Sequence, residues 1–260
     1  MLALLAALAL SVPPPDAALI DALPKCEELE ACPATVELVK RAEKALPALL
    51  AALKDERELV RFWVCGILSK TVPPAGFQPL LDAFGDKAVR VRAAAAYAVG
   101  SYRDKRGTAP LLGALKDADV NVRIAAAIAL GEVADPASVE GLLGGVGDKD
   151  EEVRQFSILA LGDIGDKRAV GPLMVRIQED IKAEVRGAAC LALGSLGDAK
   201  ALPTLVQGLE ADRDVKVRAA CATGLAELGD KGAVPALQKA AAGQDEPVRS
   251  AASEALKRLR

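Results

Sequence analysis

The chain contains no histidine. That absence excludes the Ser-His-Asp and Cys-His nucleophile systems, whose general base is an imidazole. It equally excludes zinc sites that use histidine and di-iron sites built from His-Glu pairs. Aromatic residues are scarce, at 3% of 260 residues, although 52% are hydrophobic. A core with so few rings must be filled by Ala, Leu and Val, which suits helices lying close together. An excess of either charge is also missing: 33 Lys and Arg stand against 36 Asp and Glu, a net charge of −3, with no long basic run. The bulk attraction to phosphate backbones used by nucleic-acid binders is therefore lacking, and no nucleic-acid partner is expected. No Gly-x-Gly-x-x-Gly follows a strand and no Gly-Lys-Ser/Thr loop occurs, so no nucleotide cofactor is expected. No apolar run reaches the roughly 20 residues of a membrane-spanning helix.

The chain begins with an apolar segment over 1–15. Residues 1–12 are uncharged, and Pro13, Pro14 and Pro15 stop any helix. The run resembles the apolar centre of a secretory signal peptide, with Ala7-Leu8-Ala9 as a small-residue cleavage site, although no positive residue precedes it. Export to the periplasm or the extracellular space is the expectation, and a loosely docked apolar end on a cytoplasmic protein is the alternative. Residues 16–45 are outside any repeat. They hold Cys26 and Cys32, which on a helix would lie about 9 Å apart and could not bridge. In a loop they could bridge, and in an exported protein a small disulfide loop would fit. Thr35 to Lys44 reads as one polar-faced helix that covers the open end of a repeat stack.

From residue 46 to 260 the chain repeats. Arg61, Arg92, Arg123, Arg154, Arg186, Arg218 and Arg249 each follow a valine, at steps of 31, 31, 31, 32, 32 and 31 residues. Seven copies at such a period mean a solenoid rather than one globular core. Each copy divides into two helices. The first, A, carries apolar residues at i, i+3, i+4 and i+7, as in Val139, Leu142, Leu143 and Val146. Its leucine recurs as Leu49, Leu80, Leu111, Leu142, Leu173, Leu205 and Leu237. Pro47, Pro203 and Pro235 are expected in its first turn, where a missing N–H costs little. The second helix, B, carries Val122, Ala126, Ala129, Leu130 and Val133 in the third copy. Asp119, Asp150, Asp214 and Asp245 stand where N-caps belong, and Gly165, Gly197 and Gly229 where C′ residues belong. Asp166, Asp198 and Asp230 are expected to turn the chain into the next A helix.

The unit is clearest in Val185-Arg186-Gly-Ala-Ala-Cys-Leu-Ala-Leu-Gly-Ser-Leu-Gly197-Asp198-Ala-Lys-Ala-Leu-Pro203-Thr-Leu205. It resembles the HEAT-like repeat of the phycobilin-lyase type. That resemblance implies an all-α, right-handed α-α superhelix, a HEAT/armadillo-type solenoid of about seven two-helix repeats, with helix A on the convex side and helix B on the concave side. It does not imply one activity. Deoxyhypusine hydroxylases of similar repeats need His-Glu iron ligands, which this chain lacks. HEAT-like DNA glycosylases line a groove with basic and aromatic residues, which this acidic, aromatic-poor chain does not match. A lyase-like enzyme or accessory subunit stays open, with acid–base work falling to Glu132 and Asp163.

Each ladder arginine except Arg249 has an aspartate six positions earlier: Asp55, Asp86, Asp117, Asp148, Asp180 and Asp212. Because the pattern recurs in nearly every copy, charge pairs tying neighbouring repeats together are expected rather than ligand contacts. Gly100, Gly131, Gly162 and Gly194 fall inside helix B at a cost of about 1 kcal/mol relative to alanine, which a close helix approach would offset. Asp148, Asp150 and Glu152 are spaced like a calcium loop, but Val153 and Leu159 replace its required glycine and glutamate, so no metal is expected. Cys65, Cys190 and Cys221 read as small buried hydrophobes, with a Cys190–Cys221 bridge as the alternative in an exported protein.

The residues 1, 5 and 9 positions after each arginine form an exposed row on helix B at i, i+4 spacing. Phe62, Tyr97, Ile124, Ile128, Leu159 and Leu191, with Gln155, make it an apolar strip flanked by Glu132 and Asp163. An exposed apolar strip with a polar rim marks a binding surface. The sequence therefore points to a non-catalytic scaffold or adaptor without cofactor, binding a protein or peptide on the concave helix-B face. A purely structural spacer is the alternative should superhelix curvature close these side chains on one another.

Overall fold

A computed structural model describes residues 15–259, and among these every regular element is helical. The apolar run at 1–12 and its cleavage site lie outside the described residues. Two short helices open the chain, α1 (Asp16–Ala22) and α2 (Pro33–Lys40). Seven A/B pairs come next: α3 (Ala42–Ala52) with α4 (Glu58–Thr71), α5 (Phe77–Asp82) with α6 (Val89–Ser101), and α7 (Thr108–Ala114) with α8 (Val120–Val133). The later pairs are α9 (Val139–Gly145) with α10 (Glu151–Ile164), α11 (Val170–Glu179) with α12 (Ala183–Leu196), α13 (Leu202–Ala211) with α14 (Val215–Leu228), and α15 (Val234–Ala241) with α16 (Glu246–Arg258).

The seven A-helix leucines are fully buried, as are the valines that precede Arg61, Arg92, Arg154, Arg186 and Arg218. They form a continuous apolar seam in which each pair buries its inner face against the next. Helix B stacks on helix B at very short range. A Cβ built on Gly194 would lie 2.5 Å from the Gly224 carbonyl oxygen, and one on Gly162 would lie 3.0 Å from the Cα of Ala192. Glycine is retained there because its neighbour is backbone, which cannot move aside. The A helices touch one another sparsely, so the all-α HEAT superhelix curves with the B helices on its inner side.

Local sequence sets the turns. Asp119, Asp150 and Asp214 cap α8, α10 and α14 by accepting backbone N–H bonds. Asp245 does not cap α16. Its carboxylate is turned instead to Arg218, 2.7 Å away. Asp104, Asp135, Asp166, Asp198 and Asp230 each accept the N–H two residues on and start the 3-10 turn that leads into the next A helix. Gly165, Gly197 and Gly229 end their helices at φ +75, +60 and +73. Val72, Arg103 and Ala134 take the same left-handed conformation at φ +46, +51 and +50, where a Cβ costs about 1 kcal/mol. Glycine spacing thus marks only the later B-helix ends.

The N-terminal end departs from expectation in two ways. The helix expected over Thr35–Lys44 breaks at Arg41 (φ −98, ψ 13), whose guanidinium is held by Glu37 at 2.7 Å and Asp16 at 3.4 Å. The next helix starts at Ala42, so Pro47 lies in the interior of α3 rather than its first turn. Residues 16–25, without repeat register, form α1 and a 3-10 turn whose Leu23 is fully buried under the end of the stack. Cys26 and Cys32 are in a loop and are disulfide-bonded, with a Cα separation of 5.4 Å. Cys190 and Cys221, which pattern alone reads as plain core residues, are also bonded, joining α12 to α14 at a Cα separation of 4.8 Å. The tight glycine contact between these helices brings the two cysteines together. Cys65 is free and buried, and burial pushes its thiol up to about 12.

Candidate functional site

The arginines follow from the repeat. Each sits near the start of helix B, and six of the seven reach the carboxylate of the A–B turn in the next pair. Arg61 donates to Asp86 at 2.6 and 2.8 Å, Arg92 to Asp117 at 2.8 and 3.0 Å, and Arg123 to Asp148 at 2.9 and 3.1 Å. Arg154 donates to Asp180 at 2.8 and 3.1 Å, and Arg186 to Asp212 at 2.7 and 2.8 Å. The remaining Nη1 of each turns back to the carbonyl of its own turn's aspartate, from Asp55 to Asp180. The carboxylates also accept the backbone N–H two residues on. One aspartate therefore fixes a turn and a neighbour at once through charge-assisted bidentate bonds.

The two ends differ. Arg218 reaches Asp245 through one bond of 2.7 Å, and that carboxylate is 57% exposed. Arg249 pairs with Glu246 of its own helix. At the other end Asp55, with no preceding copy, is held by Arg57, which lowers its carboxyl to about 2 against partial burial; Arg57 also spans to Asp21 of α1 at 2.9 Å. Five of the seven arginines thus direct Nε, Nη1 and Nη2 to acceptors within the protein.

The inner face of the B helices is the surface left open. Tyr97 is its most exposed large hydrophobic side chain, at 42%. Partial burial first, then the charges of Glu132 and Glu152, raise its hydroxyl pKa. Phe62, Ile128, Gln155, Leu159 and Leu191 are half-buried. Ile124 is not part of the open row: it is buried at 8%, within a helix whose residues 122–127 are all buried. Phe62 stands edge-on to Trp63, ring centroids 4.9 Å apart.

Two hollows open along this face. One, of 610 Å³, lies between α4, α6 and the Cys26–Cys32 loop, and holds Phe62 and Tyr97 with Leu29, Lys70 and Arg90. Leu29 approaches to 3.3 Å from where a Gly66 Cβ would stand, and Glu30 of the same loop binds Lys70 at 2.7 Å. The disulfide loop therefore walls off one end of the groove. The other hollow, of 220 Å³, holds Gln155, Leu159 and Leu191 with Glu184 and Lys216. Sequence reasoning missed this loop and missed the row two residues before each arginine, which includes Arg90, Glu152, Glu184 and Lys216. The signal was present in the spacing: that row lies three residues from Ala93, Gln155, Gly187 and Ala219, hence on the same helix face.

Glu132 lies across Gly100, its Oε2 2.6 Å from a built Cβ, and Asp163 lies across Gly131 at 3.4 Å. Partial burial raises both carboxyls, opposed for Glu132 by Arg103. The corresponding Glu227 is instead bonded to Ser195 at 3.1 Å. Among the described residues no His, Cys, Asp or Glu group could hold a metal ion, and no helix is long and apolar enough to cross a membrane.

Residues 4–100, 77–155, 108–187, 140–215 and 202–260 match the family described as HEAT repeats. The structure is similar to that of YibA from E. coli, at 21% identity over 95% of this chain and 92% of that one, with a TM-score of 0.69. It is similar to the complex of CpcE and CpcF of phycocyanin lyase from Nostoc sp., at 24% identity, 81% and 85% coverage and a TM-score of 0.56. An engineered protein matches at 20% identity, 93% and 77% coverage and a TM-score of 0.59. At these identities the likeness is one of fold. No curated protein matches the chain.

Proposed function

Because the chain belongs to the HEAT repeat family, we propose that it is a non-catalytic scaffold that binds a protein or peptide on the inner face of its B helices. The observation that carries this reading is Tyr97, 42% exposed beside half-buried Ile128, Leu159 and Leu191, on a face that opens into two hollows. Open apolar surface with a polar rim is a mark of interaction sites. A spacer needs none of it. Cross-linking tests the reading. With Ile128 replaced by photoreactive benzoylphenylalanine, irradiation in native cell extract should give a discrete adduct. The same group in place of Val175, exposed on α11 of the outer layer, should give none. Adducts from Val175 alone would contradict the assignment.

An exported location, periplasmic or extracellular, is supported by the Cys26–Cys32 and Cys190–Cys221 bonds, since disulfides persist in oxidising compartments. Alkylation of the unreduced, denatured protein from its native cell should label Cys65 alone. Labelling of all five cysteines would place the protein in a reducing compartment.

A further inference from the structure

Over the three central B helices the groove has an apolar floor and two charged rims. The floor is Ile128 of α8, Leu159 of α10 and Leu191 of α12, all half-buried. One rim, at the helix starts, carries Glu152 and Glu184. The other, nine residues after the ladder arginine, carries Glu132 and Asp163. None of these four side chains accepts a hydrogen bond or forms an ion pair among the described residues. The nearest ladder arginines are already bound to Asp148, Asp180 and Asp212. The charges of Glu132, from one rim, and Glu152, from the other, both reach the Tyr97 hydroxyl. The charges of Arg103 and Lys182 reach Glu132 and Glu184 without forming an ion pair with either; Lys70, bound to Glu30 at 2.7 Å, and Arg90, 3.8 Å from Glu58, border the stretch on one side, and Lys216 borders it on the other.

Unpaired carboxylates on both sides of an apolar floor repel one another and anionic partners, and attract cations most strongly where the walls exclude water. We propose that this groove takes a basic amphipathic peptide segment, with its apolar side chains on Ile128, Leu159 and Leu191 and lysine or arginine along both flanks. The proposal rests on the reading of the groove as a binding surface and adds the chemistry of its partner. Three helices stacked 8–10 Å apart span about 20 Å between the outer axes, the length of about 14 helical residues. Charge complementarity of this kind fixes specificity and speeds encounter.

The probe is a fluorescent leucine–lysine peptide of about 14 residues, with leucines at i, i+3 and i+4, measured by anisotropy against the full chain. It should bind, more weakly as salt rises, and its leucine–glutamate counterpart should not. Combined Glu132→Gln, Glu152→Gln, Asp163→Asn and Glu184→Gln should weaken binding about tenfold, as four exposed ion pairs acting together would. Glu179→Gln with Glu210→Gln, on the outer helices, should leave it unchanged. Equal weakening by the outer pair, or none by the four groove changes, overturns the cationic partner. Leu159→Lys separates the two readings. If it abolishes peptide binding while the four neutral changes do not, the groove binds by its floor alone. If neither variant alters binding, the groove reading falls as well.

Discussion

Asp212→Ala will lower the stability of the folded chain by about 3 kcal/mol or more, because it leaves a buried guanidinium without its counter-ion. The Arg186 side chain is 5% exposed and loses both bonds to the carboxylate, at 2.7 and 2.8 Å. The Asp214 N–H loses its acceptor at the same time. Asp245→Ala removes the equivalent rung at the end of the stack, where the carboxylate is 57% exposed, and should cost less than about 1 kcal/mol. Urea unfolding of the two variants separates the cases. Equal costs would mean that the rungs do not tie the repeats together. Replacing both partners, with Arg186→Met and Asp212→Leu, should recover much of the loss, since a buried pair owes most of its apparent strength to the penalty of stranding one member.

The same rungs set the response to acid. Bonds from Arg61 and Arg92 hold the Asp86 and Asp117 carboxyls below the usual carboxylate range. For Asp148, Asp180 and Asp212 burial pushes upward, and the bonds from backbone N–H and arginine together outweigh it, so these too are lowered. A carboxyl whose pKa is lower in the folded than in the unfolded chain stabilises fully above the unfolded value, about 3.9. That stability is lost as pH falls through the folded values. Unfolding free energy should therefore be flat down to about pH 4 and fall steeply below it.

Much of this architecture is legible in the chain because one residue repeats. An arginine after a valine, every 31 or 32 residues, locates each B helix. The aspartate six positions earlier locates its turn, and the leucine of helix A locates the seam. What periodicity does not convey is depth. Ile124 occupies the same register as Phe62 and Gln155, yet residues 124–131 of α8 carry no polar side chain, so the pattern there cannot tell groove from core. Nor does sequence spacing show which segment returns across the stack. Leu29 reaches the groove because the Cys26–Cys32 loop folds over α4, and nothing local to Leu29 signals it. The Cys190–Cys221 bond has the same origin, in the close approach of α12 and α14 at Gly194 and Gly224.

Ile128→Lys combined with Leu159→Lys will weaken partner binding by on the order of a hundredfold or more, as expected when the apolar centre of an interface is lost. Both side chains are half-buried on the inner face, and a lysine there can carry its charge out to water along its apolar stem. The fold should persist, because the buried seam of Leu142, Leu173, Val153 and Val185 is untouched. Neutral polar changes on the outer helices should have no effect on binding. The decisive measurement is a binding isotherm of the doubly substituted chain with the protein cross-linked at position 128, alongside its circular dichroism and melting curve. Binding lost from a chain that melts like the unsubstituted one is the predicted result; undiminished binding by that chain would show that the inner face of the B helices is not where the partner sits.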